Sequence, residues 1–242
     1  MTEQLNQFKQ PVGKAVPWKA AELPGSQPLT GQLCRIERLD MDRHAVDLYQ
    51  SYPSVPDARH WTYLPYGPFD TLNSYQDFLR TIVKSSDPLH YAVIDLVTGK
   101  AVGTFALMRI DVKNGVVEVG HVVYSPRMQR TSLSTETMFL LLKYVFEDLG
   151  YRRFEWKCDS LNAPSRTAAQ RYGFTFEGIF RQAAVTRGRN RDTAWYSIID
   201  SEYQGLRNAY SQWLSPLNFN DEGHQINKLS DFIARERLLM GD

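Results

Sequence analysis

Residues 118–146 read EVGHVVYSPRMQRTSLSTETMFLLLKYVF. The first seven alternate as a half-buried strand does, Ser125 and Pro126 stop the run, and a short polar and basic bend follows. A long apolar run of helical spacing begins near Ser134. A strand that bends directly into a helix start leaves backbone N–H groups unpaired beside the positive end of the helix dipole, an arrangement that holds phosphate. Such bends usually contain glycine, and residues 129–134 (QRTSLS) contain none. Serine is the smallest polar substitute, so Ser132, Ser134 and Thr135 would add hydroxyl donors and Arg130 a charge. The plainer reading of the same residues is an ordinary helix start with Ser134 as N-cap.

Upstream of this stretch lie three β-type runs, residues 90–96, 101–110 and 115–124, joined by the hairpin turns VTGK and DVKNG. Downstream, the helix from Ser134 to about Leu149 is followed by a strand RRFEWKCD and a helix from Asn162 to about Tyr172. Two strands, residues 174–186 and 192–200, come next, linked by RGRNR. Before the meander come a strand LCRIERL, a helix HAVDLYQSY, and an aromatic loop over residues 54–69. A second helix, NSYQDFLRTIVKS, is started by Asp70 and Thr71. Helices near residues 202–214 and 229–240 close the chain. The expected fold is α/β (α+β), with a mixed, mostly antiparallel sheet of about seven strands flanked by helices. Where the meander hands over to a helical crossover, neighbouring strands must splay, and a cleft there suits a ligand with an extended arm. Residues 1–30 are expected to form an irregular arm, 31–213 the domain, and 214–242 a tail with a short amphipathic helix.

With 242 residues, 43% hydrophobic, the chain can bury one sizeable core. The 28 Lys+Arg against 27 Asp+Glu give a net charge of +1. Nothing pulls the whole molecule toward nucleic acid or an anionic membrane, so any anion site must be local. Cys34 and Cys158 are isolated and read as free core thiols, and the five histidines have no metal-ligand spacing. No signal-peptide core and no membrane-length apolar run stand in the sequence, so a cytoplasmic protein is expected, with a homodimer left open.

The order of these elements resembles the GCN5-related N-acetyltransferase superfamily. The resemblance implies that the strand VGHVVYSP, through Val122, Val123 and Tyr124, pairs with the pantetheine arm of acetyl-CoA. It implies that the bend and helix start, Gln129, Arg130, Thr131, Ser132, Leu133, Ser134 and Thr135, hold its pyrophosphate. The family bend runs Gln or Arg, two variable positions, Gly, one variable position, then Gly or Ala; Gln129 keeps the first position and both glycines are missing. The run CDSLNAPSRTAAQRYGFTFEG resembles the ribosomal-protein N-terminal acetyltransferase branch at Asn162, Ser165, Arg166, Gly173, Phe174, Glu177 and Gly178, with Asn162, Ser165 and Arg166 implied at the cofactor. The similarity covers roughly residues 32–200. The segments WTYLPYGPF and GRNRDTAWYSIID resemble a subgroup with poorly defined substrates.

N-acetylation needs a neutral amine and a proton for the departing thiolate. The resemblance implies Glu118 as general base, and the alternation VEVGHVV sets Glu118, Gly120, Val122 and Tyr124 on one face, where burial is expected. Ala169 stands where many members have a tyrosine, so the expected thiolate donor is Ser165, with Asn162 orienting pantetheine or a water; Tyr172 lies on a different face of the helix. The acceptor pocket is expected from His60, Trp61, Tyr63 and Tyr66, whose rings suit an amine, and from Arg187, Arg189 and Arg191, which suit an acidic or phosphorylated part. The implied reaction is direct acetyl transfer to a primary amine of a small molecule or peptide N-terminus. The alternatives are a catalytically weak acyl-CoA-binding module and, less favoured by the charge balance, an RNA-associated protein.

Overall fold

The computed structural model describes residues 4–52 and 58–241; residues 53–57, part of the expected aromatic loop, lie outside the described residues. A mixed sheet runs in the order β3-β4-β5-β6-β7-β8-β10-β9. Its strands are β3 (Leu29–Thr30), β4 (Cys34–Arg38), β5 (Leu89–Asp95), β6 (Ala101–Asp111), β7 (Val116–Tyr124), β8 (Arg153–Asp159), β9 (Thr175–Thr186) and β10 (Arg189–Ile199). Two short strands, β1 (Gln4–Leu5) and β2 (Pro11–Val12), pair separately. The sheet has eight strands, one more than the alternation suggested, because the two residues of β3 pair with β4. All pairings in it are antiparallel except β7 with β8, which are joined through α3 (Ser132–Lys143).

Local chemistry explains the starts and turns. Asp40 caps α1 (Met41–Ser51) by accepting from the Arg43 N–H, and Thr71 with Ser74 forms a capping box on α2 (Leu72–Ile82). The β9–β10 turn is Arg187-Gly188, both with positive φ (51° and 72°), the backbone of a two-residue hairpin. The strands therefore extend further than the RGRNR link implied, and Arg189 and Arg191 belong to β10. From α3, the Glu136 carboxylate accepts the N–H groups of Gln32, Leu33 and Cys34 at 2.8, 2.7 and 2.8 Å, pinning the start of β4.

Two cores result. On one face α3, α4 (Ala163–Arg171), α5 (Asp200–Trp213) and α6 (Leu229–Met240) enclose Phe105, Val117, Val119, Leu141, Phe154, Trp156, Tyr196 and Tyr210. On the other, α1 and α2 cover Ala92, Ile94, Ala101 and Val123 with an aromatic cluster including Tyr52, Trp61 and Tyr75. On β8 and β10 that second face carries Arg153, Glu155, Lys157, Thr193, Trp195 and Ser197, because Phe154, Trp156, Cys158, Ala194, Tyr196 and Ile198 alternate into the first core.

Candidate active site

The pairing of β7 with β8 ends at Val119 opposite Trp156. Beyond that point the β8-facing backbone groups of the Gly120–Tyr124 stretch have no strand to bind, and the two strands part. A bulge sits at this place. His121 has φ 50°, and the register against β6 jumps from Ala106–Gly120 to Thr104–Val123. The bulge corrects the expected alternation. Val122 and Tyr124 pack with Val117 and Val119 on the α3 face, while Val123 turns into the core under α1 and α2. Glu118 therefore does not share a face with Val122 and Tyr124; the extra residue at His121 reverses the parity.

β7 runs through the bend into α3, which starts at Ser132, two residues earlier than expected, with Thr131 as N-cap in place of Ser134. No side chain caps this end: the Thr131 hydroxyl donates to the Met128 carbonyl at 2.7 Å and the Ser134 hydroxyl to the Thr131 carbonyl at 2.8 Å. Ser134 and Thr135 are buried. The first-turn N–H groups, with the Ser132 hydroxyl and the Leu133 backbone, thus stand without a capping acceptor, the state in which a helix start receives an anion. The left-handed residue of the bend is Arg130, φ 61°. Ser132 and Ser134, at the places of the family glycines, are already helical and need no glycine backbone. Gln129 folds back, its Nε2 donating to the Tyr124 carbonyl at 2.6 Å, where His60 Nε2 also bonds at 2.8 Å.

A ladder of charges crosses the open face. Glu118, 4% exposed, meets Arg109 Nη1 at 2.6 Å and Lys157 Nζ at 3.0 Å, both on Oε2. Lys157 also meets Glu155 Oε2 at 2.6 Å and lies 3.8 Å from the Trp195 ring centre. Arg153 links Glu155 to Glu177, whose Oε1 accepts from Ser197 at 2.7 Å. Each buried carboxylate here has a cation, as burial of charge requires.

At the mouth, Tyr66 stacks on His121 with ring centres 5.6 Å apart, and His121 Nδ1 lies 3.3 Å from the Tyr66 hydroxyl. Burial first, then Arg109 and Arg191, push the His121 pKa down. Tyr63 donates to the Leu161 carbonyl at 3.0 Å and Arg187 to the Gly67 carbonyl, so the aromatic loop is tied to both the β8–α4 turn and the β9–β10 hairpin. Trp61 is buried in the second core against Tyr52 and Phe69. Arg189 is exposed and Arg191 half-buried.

Beneath the cleft, Asn162 caps α4 by accepting from the Ser165 N–H at 3.2 Å. Ser165 Oγ accepts from Trp156 Nε1 at 3.0 Å, which leaves its own proton to donate. Arg166 bonds the Tyr196 hydroxyl and the Ser160 carbonyl, both at 3.2 Å. Ala169 is fully buried, and the Tyr172 hydroxyl, also buried, donates to the Ser134 carbonyl at 3.4 Å. Burial raises the Tyr172 pKa. His121, Lys157 and Arg109 were not singled out from sequence. Lys157 was legible in the alternation of RRFEWKCD, whereas a bulge at a histidine has no sequence signal.

The acetyltransferase (GNAT) domain model matches residues 35–175, and the chain belongs to this family of acyl-CoA acyltransferases. A GCN5-related N-acetyltransferase from Brucella melitensis shares 44% identity and superposes with a TM-score of 0.87 over 90% of this chain and 99% of that one. The uncharacterized N-acetyltransferase p20 of Bacillus licheniformis is 25% identical over 174 residues, 71% of this chain and 96% of its own length. The ribosomal N-acetyltransferase-like YdaF of Bacillus subtilis (strain 168) is 27% identical over 110 residues, 46% of this chain and 60% of its own. Family members generally use acetyl-CoA and act on amines. Among the described residues no helix is long and apolar enough to cross a membrane.

Proposed function

We propose that this chain transfers an acetyl group from acetyl-CoA directly to a primary amine of a small molecule or a peptide N-terminus, within a ternary complex. The observation that carries the reading is the continuous path from the unpaired edge of β7 at its bulge to the uncapped start of α3. A pantetheine arm would pair with the backbone of Val122, Val123 and Tyr124. The pyrophosphate would lie on the N–H groups at Ser132, Leu133 and Ser134, with Arg130 and Gln129 at the rim. When bound, acetyl-CoA supplies an activated acyl thioester.

The chain's own residues supply the rest. Glu118 accepts the proton of the incoming ammonium, directly or through water, so that the neutral amine can attack. Ser165, held by Asn162 at the α4 start, passes to the thiolate the second proton that the amine nitrogen sheds as the amide forms, so its own hydroxyl is restored, beside N–H groups that stabilise the developing charge. His60, Tyr63 and Tyr66 frame the acceptor side, and holding both reactants in one cleft supplies much of the rate. A second reading, an acyl-CoA-binding module of weak activity, is favoured by the two cations on Glu118 Oε2 and the absence of a hydroxyl at Ala169. Isothermal titration with CoA followed by thiol release from acetyl-CoA over an amine panel separates them. The transferase reading requires amine-dependent release; tight CoA binding with no release on any amine supports the module.

A further inference from the structure

Arg191 stands apart from the charge ladder. Its side chain is half-buried, its Nε is shielded from solvent without a hydrogen-bond partner, and no carboxylate pairs with it among the described residues. The acids nearest in its own strand pair are engaged elsewhere: Asp192 Oδ1 accepts from the Gln182 N–H at 2.7 Å and from Asn190 at 2.9 Å, and Asp159 Oδ1 accepts from the Leu161 N–H at 2.9 Å. Arg191 lies on β10 beyond the end of its pairing with β8, which closes at Thr193 opposite Asp159. Arg187 of the same hairpin donates to the Gly67 carbonyl, which sets this end of β10 beside the aromatic loop, and His121 on β7 and Cys158 on β8 both register the Arg191 charge. Trp195, on the same face of the strand, likewise has a shielded Nε1 without a partner.

A guanidinium Nε shielded from water with no acceptor is costly, and such donors are normally satisfied by something. The ladder itself is balanced: Arg109, Lys157 and Arg153 face Glu118, Glu155 and Glu177. Arg191 is a cation outside that balance, on the hairpin whose Arg187 is tied to the Gly67 carbonyl of the aromatic loop. We infer that Arg191 receives an anionic group, carboxylate or phosphate, carried by the acceptor close to its amine. This rests on the transferase reading and narrows it: the substrates are amines bearing an acid, such as amino acids or peptides with an acidic residue near the N-terminus, and not polyamines. A guanidinium suits this task because its donors match both oxygens of a carboxylate or phosphate.

The test uses the full chain and matched amines: glutamate and aspartate against their diamides, in which both carboxylates are gone, and phosphoethanolamine against ethanolamine. Thiol release from acetyl-CoA is measured, together with titration of glutamate and phosphoethanolamine into the CoA-loaded protein. The expected ratio of kcat/KM, acid over neutral partner, is about ten- to a hundredfold in at least one series, and the series that shows it identifies carboxylate or phosphate. Arg191→Gln should bring that ratio near one, Arg191→Lys should restore part of it, and Arg191→Glu should turn the preference toward cationic amines. A ratio near one in the unmodified chain, or one that Arg191→Gln leaves unchanged, overturns the inference while the transferase reading stands. Binding of the acid that is lost in Arg191→Gln, with no turnover of any amine, keeps the anion site and overturns the transferase reading. Absence of both turnover and binding overturns both.

Discussion

Lys157 Nζ lies 3.0 Å from Glu118 Oε2 and 2.6 Å from Glu155 Oε2, with 5% of its side chain exposed. The same Glu118 oxygen takes Arg109 Nη1 at 2.6 Å. Oε1 is therefore the oxygen left to meet an incoming ammonium or a bridging water. Lys157 also pairs with Glu155, which Arg153 holds from its other side, so Glu118 is tied into the ladder along β8.

Glu118→Gln should lower turnover by roughly two to four orders of magnitude while leaving CoA affinity nearly unchanged. The amide fits the same space, and Lys157 retains Glu155. Steady-state rates across pH on the best amine, with titration of CoA, check this. An unaltered pH–rate profile in the variant would remove Glu118 from the chemistry.

Arg130 combines a left-handed backbone, φ 61°, with a charge at the rim of the α3 start. Arg130→Gly removes the charge but suits the backbone, so the fold should be as stable or more so. Arg130→Glu keeps a side chain and reverses the charge. CoA affinity should fall in both and further in the glutamate variant, by at least about tenfold at low salt. Equal affinity in all three proteins would remove the bend from the cofactor site.

Much of this was legible in the chain. The strand, bend and helix order and the helical crossover after the meander follow from periodicity and turn residues, because one buried face imposes a period of two on strands and 3.6 on helices. The bulge at His121 was not legible: it is set by how β7 meets β6 and β8, and a histidine carries no sign of it. The family glycines also gave the wrong cue about the bend, since the strained φ falls on Arg130, before the helix begins. Charge partners such as Arg109 and Glu118 come from strands whose bulged registers only the assembled sheet reveals.

Ser165→Ala should reduce acetyl transfer and also lower stability by about 1–3 kcal/mol, because the Trp156 indole N–H loses its acceptor. Tyr172→Phe removes a long, 3.4 Å hydrogen bond inside the core and should be nearly silent in turnover. Rates and denaturant midpoints of the two variants decide the matter. Loss of activity in the phenylalanine variant with retention in the alanine variant would shift the thiolate's proton source to Tyr172.

His90 gives a pH dependence of known sign. Burial, then His121 and Arg38, push its pKa from 6.5 down to about 4, so the folded state holds it neutral. Unfolded chains take up that proton below about 6.5, so this contribution is fully present above that pH and is lost as pH falls toward 4. His90→Gln should flatten the acid side of a stability–pH curve measured by urea denaturation. An identical slope in the variant would show that other groups set the acid sensitivity.

One continuous groove, from the β7 bulge to the α3 start, should hold the acyl donor. A crystal structure of the chain with CoA tests it most directly. The pantetheine amides should bond to the backbone near Val122 and Tyr124, and the pyrophosphate should lie on the N–H groups of Ser132, Leu133 and Ser134. The sulfur should lie between the Glu118 side of the parted strands and Ser165. Density for the pyrophosphate at any other place, or a pantetheine arm outside the gap between β7 and β8, would contradict it.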